Sequence, residues 1–272
     1  MKLLTLNTHS LASGNAEYCI DRLSSFILSE LPDVIALQEV NQSIGAPRAK
    51  NDINELPDKD IYFAPMKEDN FALSVMSRLS LGGADYHLLW LPVKHGYSRF
   101  DEGLALITRN KAENVRGVCI SQSRSTEDWR TRMALVAHIP ALDVSVCNLH
   151  TGRADDKKDP FSEQWRNLRL HMTQYKHPFI MGDFNIPSES DEYHDILSDD
   201  FLDLRTLSKE PVGDATAESG IDGWSDGNRS MRIDYIFSGF VPKCREIKYR
   251  TVFNGIDGDV ISDHFGVLAE LV

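Results

Sequence analysis

Short strand-like segments recur from one end of this chain to the other with only four helical stretches among them, and that ratio restricts the fold most. Strands are expected at Leu3–Asn7, Val34–Glu39, Ile61–Pro65, Tyr86–Leu91, Gly103–Thr108, Arg116–Ser121, Ala134–Ile139, Val144–Leu149, Phe179–Asp183, Ile233–Phe237, Lys248–Phe253 and Phe265–Leu271. Ile20, Leu23, Ile27 and Leu31 recur at helical spacing within Ala16–Leu31, ahead of the breaker Pro32-Asp33. Further helices are expected at Asn70–Arg78, Phe161–Tyr175 and Ser190–Ser198. Each parallel crossover needs its own long connection, so these strands cannot all join one doubly wound parallel sheet. The order fits two packed sheets with helices outside, an α/β architecture. Gln42–Pro57 and Lys209–Ser230, rich in turn formers, read as loops over one end. With no repeat, low-complexity tract or linker, residues 1–272 are expected to form one domain.

The 42% hydrophobic content supports a sizeable core, and no apolar run approaches the roughly 18 residues that would span a bilayer. Met1-Lys2-Leu3-Leu4-Thr5-Leu6-Asn7 has too short an apolar run for a signal peptide and reads as the first core strand. Cys19, Cys119, Cys147 and Cys244 lie far apart without a paired-cysteine motif. They are expected to be reduced thiols, which implies a cytoplasmic protein. The net charge is −12, from 29 basic and 41 acidic residues. The longest basic run, Lys157-Lys158, is hemmed in by Asp155, Asp156 and Asp159. Proteins that grip duplex nucleic acid neutralise phosphates with clustered Lys and Arg, so a nucleic-acid partner is disfavoured.

Polar donors recur at strand ends. Asn7 and Glu39 end the first two strands, His150 follows Val144–Leu149, and Asp183 and Asn185 close Phe179–Asp183. Asp234 lies inside a strand, and Asp263-His264 precedes the last one. Each has an ordinary reading taken singly: a turn residue, a solvated carboxylate, a hydrogen-bonded core histidine, or for Asp234 a partner of Arg232. Their recurrence at similar strand positions points instead to one cation-binding centre, because converging carboxylates repel unless a cation reconciles them. Oxygen ligands with few imidazoles favour Mg²⁺ or Mn²⁺ over Zn²⁺.

At these residues the chain resembles the endonuclease/exonuclease/phosphatase superfamily, which includes deoxyribonuclease I, apurinic endonucleases, inositol polyphosphate 5-phosphatases and neutral sphingomyelinases. Leu6-Asn7, Leu37-Gln38-Glu39, Asn148-Leu149-His150, Gly182-Asp183-Phe184-Asn185, Arg232-Ile233-Asp234-Tyr235 and Ser262-Asp263-His264 match in order, from Leu3 to Leu271. The resemblance implies a four-layer α/β/β/α sandwich of two mostly antiparallel (mixed) sheets, and hydrolysis of a phosphoester by in-line attack of water. It implies that Glu39 holds the metal, with Asn7 supporting it or the phosphate. Asp183 would orient or deprotonate the water, and Asn185 would hold the water and a phosphoryl oxygen. His264, aligned by Asp234, would stabilise developing charge, and Asp263 would assist through a second metal position. His150 fills a place where some nuclease relatives carry tyrosine and phosphatase or sphingomyelinase relatives carry histidine.

A closer likeness is to a bacterial subgroup that includes maltose 6'-phosphate phosphatase. It rests on Leu3–Ser10, Ala36–Gln42, Asp69–Leu73, Gly96-Tyr97, Asp101–Ala105, Trp129–Arg132 and Ile221–Trp224. Within these segments, Arg132 is a candidate phosphate fork and Trp224 a candidate stacking surface for a sugar ring. A surface ion pair and a loop anchor are their respective alternatives. Tyr97 and Glu102 are candidate pocket walls, and His9 shares a strand face with Asn7. The favoured substrate is a small phosphorylated sugar, with no membrane partner. A metal-dependent nuclease or DNA phosphodiesterase, a sphingomyelinase-like enzyme and a non-catalytic regulatory or binding protein are the competing readings.

Overall fold

Alternation along each strand settles the layering. In the computed structural model, which describes residues 1–56, 64–218 and 230–272, every position of β4 (Phe100–Thr108), β7 (Val144–His150) and β8 (Pro178–Asp183) is buried. Strands covered on both faces tend toward continuous apolar runs, as in Leu104–Ile107 of β4 and Phe179–Met181 of β8, while most polar residues of these strands gather toward the end that meets the cleft. β1 (Lys2–Asn7) and β2 (Val34–Ser43) show the two faces. Leu3, Val34 and Ala36 point into a central core, where they meet Val146, Phe179 and Met181 of the other sheet. Leu4, Leu6, Ile35 and Leu37 point outward, under Ile20, Leu23 and Ile27 of α1 (Ala16–Glu30) and Phe71, Val75 and Leu79 of α2 (Phe71–Leu81). On the far side, Cys147, Ile180, Tyr235 and Phe237 pack under Phe161, Trp165 and Leu168 of α3 (Phe161–Met172), and under Tyr193 and Ile196 of α4 (Asp191–Ser198). The result is the four-layer α/β/β/α sandwich.

The remaining strands are β3 (His87–Gly96), β5 (Glu113–Cys119), β6 (Met133–Ile139), β9 (Leu202–Asp203), β10 (Asp234–Ser238), β11 (Ile247–Val252) and β12 (Gly266–Leu271). The sheets run β11-β12-β1-β2-β4-β3 and β5-β6-β7-β8-β10-β9. Each is antiparallel but for one central parallel pair, β1/β2 in the first and β7/β8 in the second. α1 and α3 make the two parallel crossovers. A buried polar bridge joins the sheets beneath the ends of these pairs. Gln38 Nε2 donates to Asn148 Oδ1 at 2.7 Å, while Asn148 Nδ2 donates to the carbonyls of Leu37 at 2.9 Å and Ala105 at 2.8 Å. Buried groups with such specific partners fix how one sheet sits on the other.

Several boundaries depart from expectation for visible reasons. β2 runs on to Ser43 through a bulge between Leu37 and Val40, so Gln42 belongs to a strand and not to a loop. β3 passes through Pro92, which is tolerated because β3 is an edge strand and needs no ladder hydrogen bond there. The two-residue β9 was not expected. Most of the strand expected at Ile61–Pro65 lies outside the described residues. Among the described residues no helix is long and apolar enough to cross a membrane, and all four cysteines are free.

Candidate active site

Both parallel pairs deliver polar side chains to one end of the sandwich. Asn7 is the last residue of β1, and its amide bridges the sheets: Nδ2 donates to Glu39 Oε1 and to Asp183 Oδ2, both at 3.0 Å. Glu39 sits in the β2 bulge at φ +52°, an uncommon conformation for a residue with a Cβ. Its carbonyl is held by the Ser10 hydroxyl at 2.6 Å, and Ser10 Oγ also accepts the Asn41 N–H at 3.0 Å. The strain turns the carboxylate out of the pleat and toward Asn7.

On the second sheet the chain must turn sharply after β8. Gly182 has φ +141°, and a Cβ there would lie 2.0 Å from the Leu149 carbonyl oxygen, so only glycine fits. Asp183 follows, its Oδ1 accepting the Asn185 N–H at 2.9 Å in an Asx turn. Asn185, at φ +49°, donates to the Thr151 carbonyl at 3.1 Å. His150 closes β7 with Nε2 3.5 Å from Asp183 Oδ2. Asp234 opens β10 directly opposite Asp183, and its Oδ2 accepts from His264 Nδ1 at 3.0 Å. His264 Nε2 stands 3.9 Å from Asp183 Oδ2. Asp263 is partly exposed, and His9 lies between it and Glu39, with Nδ1 3.7 Å and 3.4 Å from their oxygens.

The electrostatics differ from group to group. Burial pushes the Asp183 carboxyl up to about 7, with the Asp234 charge adding to the push. Burial also opposes charge on His264, but the Asp234 and Asp183 carboxylates outweigh it and raise the imidazole to about 10. His150 is held well below the ordinary histidine range by burial and then by the charge of Arg132. Glu39 goes the other way: burial is outweighed by His9 and the Asn7 amide, which hold it below the usual carboxylate range.

Two donor sets suit a divalent cation. Asp183, Asp234 and His264 present ligand atoms within 4.8 Å of one another, in a buried acidic–imidazole cluster. There, however, the His264–Asp234 hydrogen bond already pairs the charges. Glu39 Oε2, by contrast, is buried and accepts no hydrogen bond, with only the longer 3.4 Å approach of His9 Nδ1 beside it. With Asp263 across from it, this hard oxygen fits Mg²⁺ or Mn²⁺ chemistry better than a thiolate metal.

These residues open onto a cleft of about 290 Å³ whose lining includes Glu39, His150, Asp183, Asn185, Asp263, His264 and Arg132. Asn7 and Asp234 lie just behind, touching that lining through their hydrogen bonds. Tyr97 and Glu102 also line the cleft. Trp224 lies outside the described residues. Sequence reasoning missed Lys94, His95 and Arg153, which line the cleft as well. A signal for Lys94 existed: Lys94-His95-Gly96 and Asp101-Glu102-Gly103 flank one short turn with opposite charges, and the hairpin pairs Lys94 with Glu102.

A family model described as the Endonuclease/Exonuclease/phosphatase family matches residues 4–264. The chain belongs to that family. Members of the endonuclease/exonuclease/phosphatase family are phosphoester hydrolases and generally depend on a divalent metal, in keeping with the buried acidic–imidazole cluster seen here. Among solved structures, an endonuclease/exonuclease/phosphatase family protein from Leptotrichia buccalis C-1013-b superposes with TM-score 0.85 at 25% identity, covering 100% of this chain and 99% of that one. A mannosyl-6-phosphatase from Bacteroides thetaiotaomicron VPI-5482 (TM-score 0.67, 15% identity) covers the same shares, 100% and 99%. So does a 3'-5' exonuclease from Neisseria meningitidis, at TM-score 0.65 and 17% identity. At those identities the last two show the shared fold alone. No curated protein matches the sequence.

Proposed function

We propose that this family member is a Mg²⁺- or Mn²⁺-dependent phosphomonoesterase for a small phosphorylated sugar, working in the cytoplasm. The observation that carries the reading is the short cleft itself. At about 290 Å³ it suits a small ligand, and it gathers Glu39, Asp183, His264 and Arg132 within that volume. A net charge of −12 around it favours a small anion, steered by local donors, over a nucleic-acid duplex. The mannosyl-6-phosphatase lends the sugar-phosphate substrate class by analogy.

In this reading Glu39 holds the cation with help from Asp263, and the Asn7 amide fixes the Glu39 carboxylate. When bound, the cation polarises a phosphoryl oxygen and eases departure of the alkoxide. Asp183, raised toward neutrality by burial, accepts the proton of the attacking water. Asn7 and Asn185 hold that carboxylate from two sides, and the Asn185 side chain also reaches a phosphoryl oxygen. His264, kept protonated by Asp234, donates to the phosphoryl group as negative charge develops on it. His150 remains neutral and positions the ester beside Asp183. Arg132 forms charge-assisted hydrogen bonds to the phosphate.

The test is a substrate panel. Purified protein with Mg²⁺ is assayed on sugar phosphates, plasmid DNA, single-stranded DNA and a generic phosphodiester. Inorganic phosphate released from sugar phosphates, and lost in Asp183→Asn, is the expected result. DNA nicking that disappears in Asp183→Asn, with no phosphate released from any sugar, establishes the nuclease reading instead. Inactivity on every substrate with Mg²⁺ and Mn²⁺ leaves the non-catalytic reading.

A further inference from the structure

Beside the hydrolytic centre lies a recess of about 10 Å³ whose walls include Lys94, Glu102, Arg132 and His150, four residues that also line the cleft. The charges there do not balance. Lys94 on β3 and Glu102 on β4 are register partners in the hairpin and form a buried ion pair. Arg132, just ahead of β6, is 8% exposed, and its Nε is buried without a hydrogen-bond partner. Among the described residues no carboxylate forms an ion pair with it. A guanidinium buried without a counter-charge is costly, and the cost falls away when an anion fills the place. His150 separates this cation from Asp183 by a single imidazole, with Nε2 3.5 Å from the carboxylate.

We propose that Arg132, backed by Lys94, is the determinant of monoester specificity: it binds the third terminal oxygen of a phosphomonoester dianion. The proposal rests on the phosphatase reading and names what makes the site a monoesterase. A monoester presents three terminal oxygens. A cation held by Glu39 would neutralise one, and His264 with Asn185 would donate to another. The third then faces the Arg132 side of the cleft. In a diester that oxygen carries a carbon chain, and a recess the size of about one water molecule has no room for it. The chain would also leave the guanidinium desolvated and unpaired. Glu102 acts as a positioning residue, holding Lys94 against the repulsion of Arg132.

The experiment compares p-nitrophenyl phosphate with bis-p-nitrophenyl phosphate under Mg²⁺ for wild type, Arg132→Met and Arg132→Lys. Arg132→Met should lower the monoester-to-diester ratio of kcat/KM by about 10²-fold, with Arg132→Lys in between. The double variant Lys94→Met/Glu102→Gln, which removes both charges of the buried pair, should lower the ratio by about tenfold. Calorimetric titration with inorganic phosphate should show affinity for metal-loaded wild type falling at least about tenfold in Arg132→Met. This titration does not depend on turnover, so it still reports if a variant is slow. A ratio unchanged within about threefold, with phosphate affinity also unchanged, overturns the specificity role while leaving the phosphatase reading standing. Wild type that cleaves the diester and DNA but no monoester overturns both.

Discussion

The β1-α1-β2 and β7-α3-β8 units are the same device used twice, a parallel pair with its carboxyl ends at the cleft, and they end differently. In the first, the chain stays extended and a bulge swings Glu39 aside at φ +52°. In the second, the strand stays paired through Asp183, with Gly182 at φ +141° just before its end and Asp183 opening an Asx turn. The carboxylates share the Asn7 amide yet are tuned in opposite directions: Glu39 below its ordinary range, Asp183 up to about 7. The backbone explains the difference. The bulge places Glu39 beside the His9 imidazole, whereas the turn places Asp183 deep between the sheets and beside Asp234. One topology therefore yields a permanent anion suited to a cation and a carboxylate poised to take a proton.

The sharpest way to break this comparison is to neutralise each carboxylate in turn. Asp183→Asn should lower kcat by about 10³-fold while leaving the Mg²⁺ dependence close to wild type. It should also stabilise the chelated protein in a pH-dependent way. Because the folded-state value of Asp183 lies above its ordinary 3.8, at about 7, the folded protein holds this proton more tightly than the unfolded chain. That contribution is complete below about pH 4 and is lost as pH rises through about 7. Asparagine cannot ionise, so the Tm gain of the variant over wild type should be small near pH 4.5 and larger at pH 8. A gain independent of pH would separate Asp183 from the proton-accepting role. Glu39→Gln should act differently: kcat at saturating Mg²⁺ falls by about 10²-fold, and half-saturating Mg²⁺ rises at least about tenfold. Unchanged Mg²⁺ dependence would move the cation to the Asp183–Asp234–His264 cluster.

The same contrast explains what could be read from the chain before its structure. The donors at strand ends, from Asn7 to His264, were legible because short buried strands followed by Asp, Asn or His carry a local pattern. The sandwich was legible from the number of strands. What escaped depends on contacts that have no local signature. Pro92 and the polar run Asn41-Gln42-Ser43 look like strand terminators, yet an edge position and a bulge let both strands continue. Glu102 was legible as a pocket wall, but Lys94 by itself looks like an ordinary solvated charge, and the hairpin register is what buries the two together. The lone charge of Arg132 is likewise a tertiary fact, since it follows from which carboxylates end up elsewhere.

A smaller effect tests whether the halves work as one. Asn148 of the second sheet donates to two carbonyls of the first and accepts from Gln38. Asn148→Leu removes all three of these buried hydrogen bonds and should cost about 3 kcal/mol in denaturant unfolding. Turnover should fall about tenfold, because Asn7 and Asp183 would lose their fixed separation. Loss of stability without loss of turnover would mean that the Asn7 bridge alone holds the two ends in place.

The smallest effect isolates the bulge. Ser10 touches neither Glu39's carboxylate nor the cleft, but its hydroxyl donates to the Glu39 carbonyl at 2.6 Å and accepts the Asn41 N–H at 3.0 Å. It thereby fastens both flanks of the residue at φ +52°. Ser10→Ala removes one donor and one acceptor from a fully buried position and should cost about 1–2 kcal/mol of stability. If the strained backbone is what aims Glu39, half-saturating Mg²⁺ should also rise about threefold, with kcat at saturation nearly unchanged, a split that loss of packing alone does not produce. Equal Mg²⁺ dependence in the variant and wild type would show that Asn7 and His9 suffice to aim the carboxylate. The bulge would then be a consequence of sheet twist and not a device of the site.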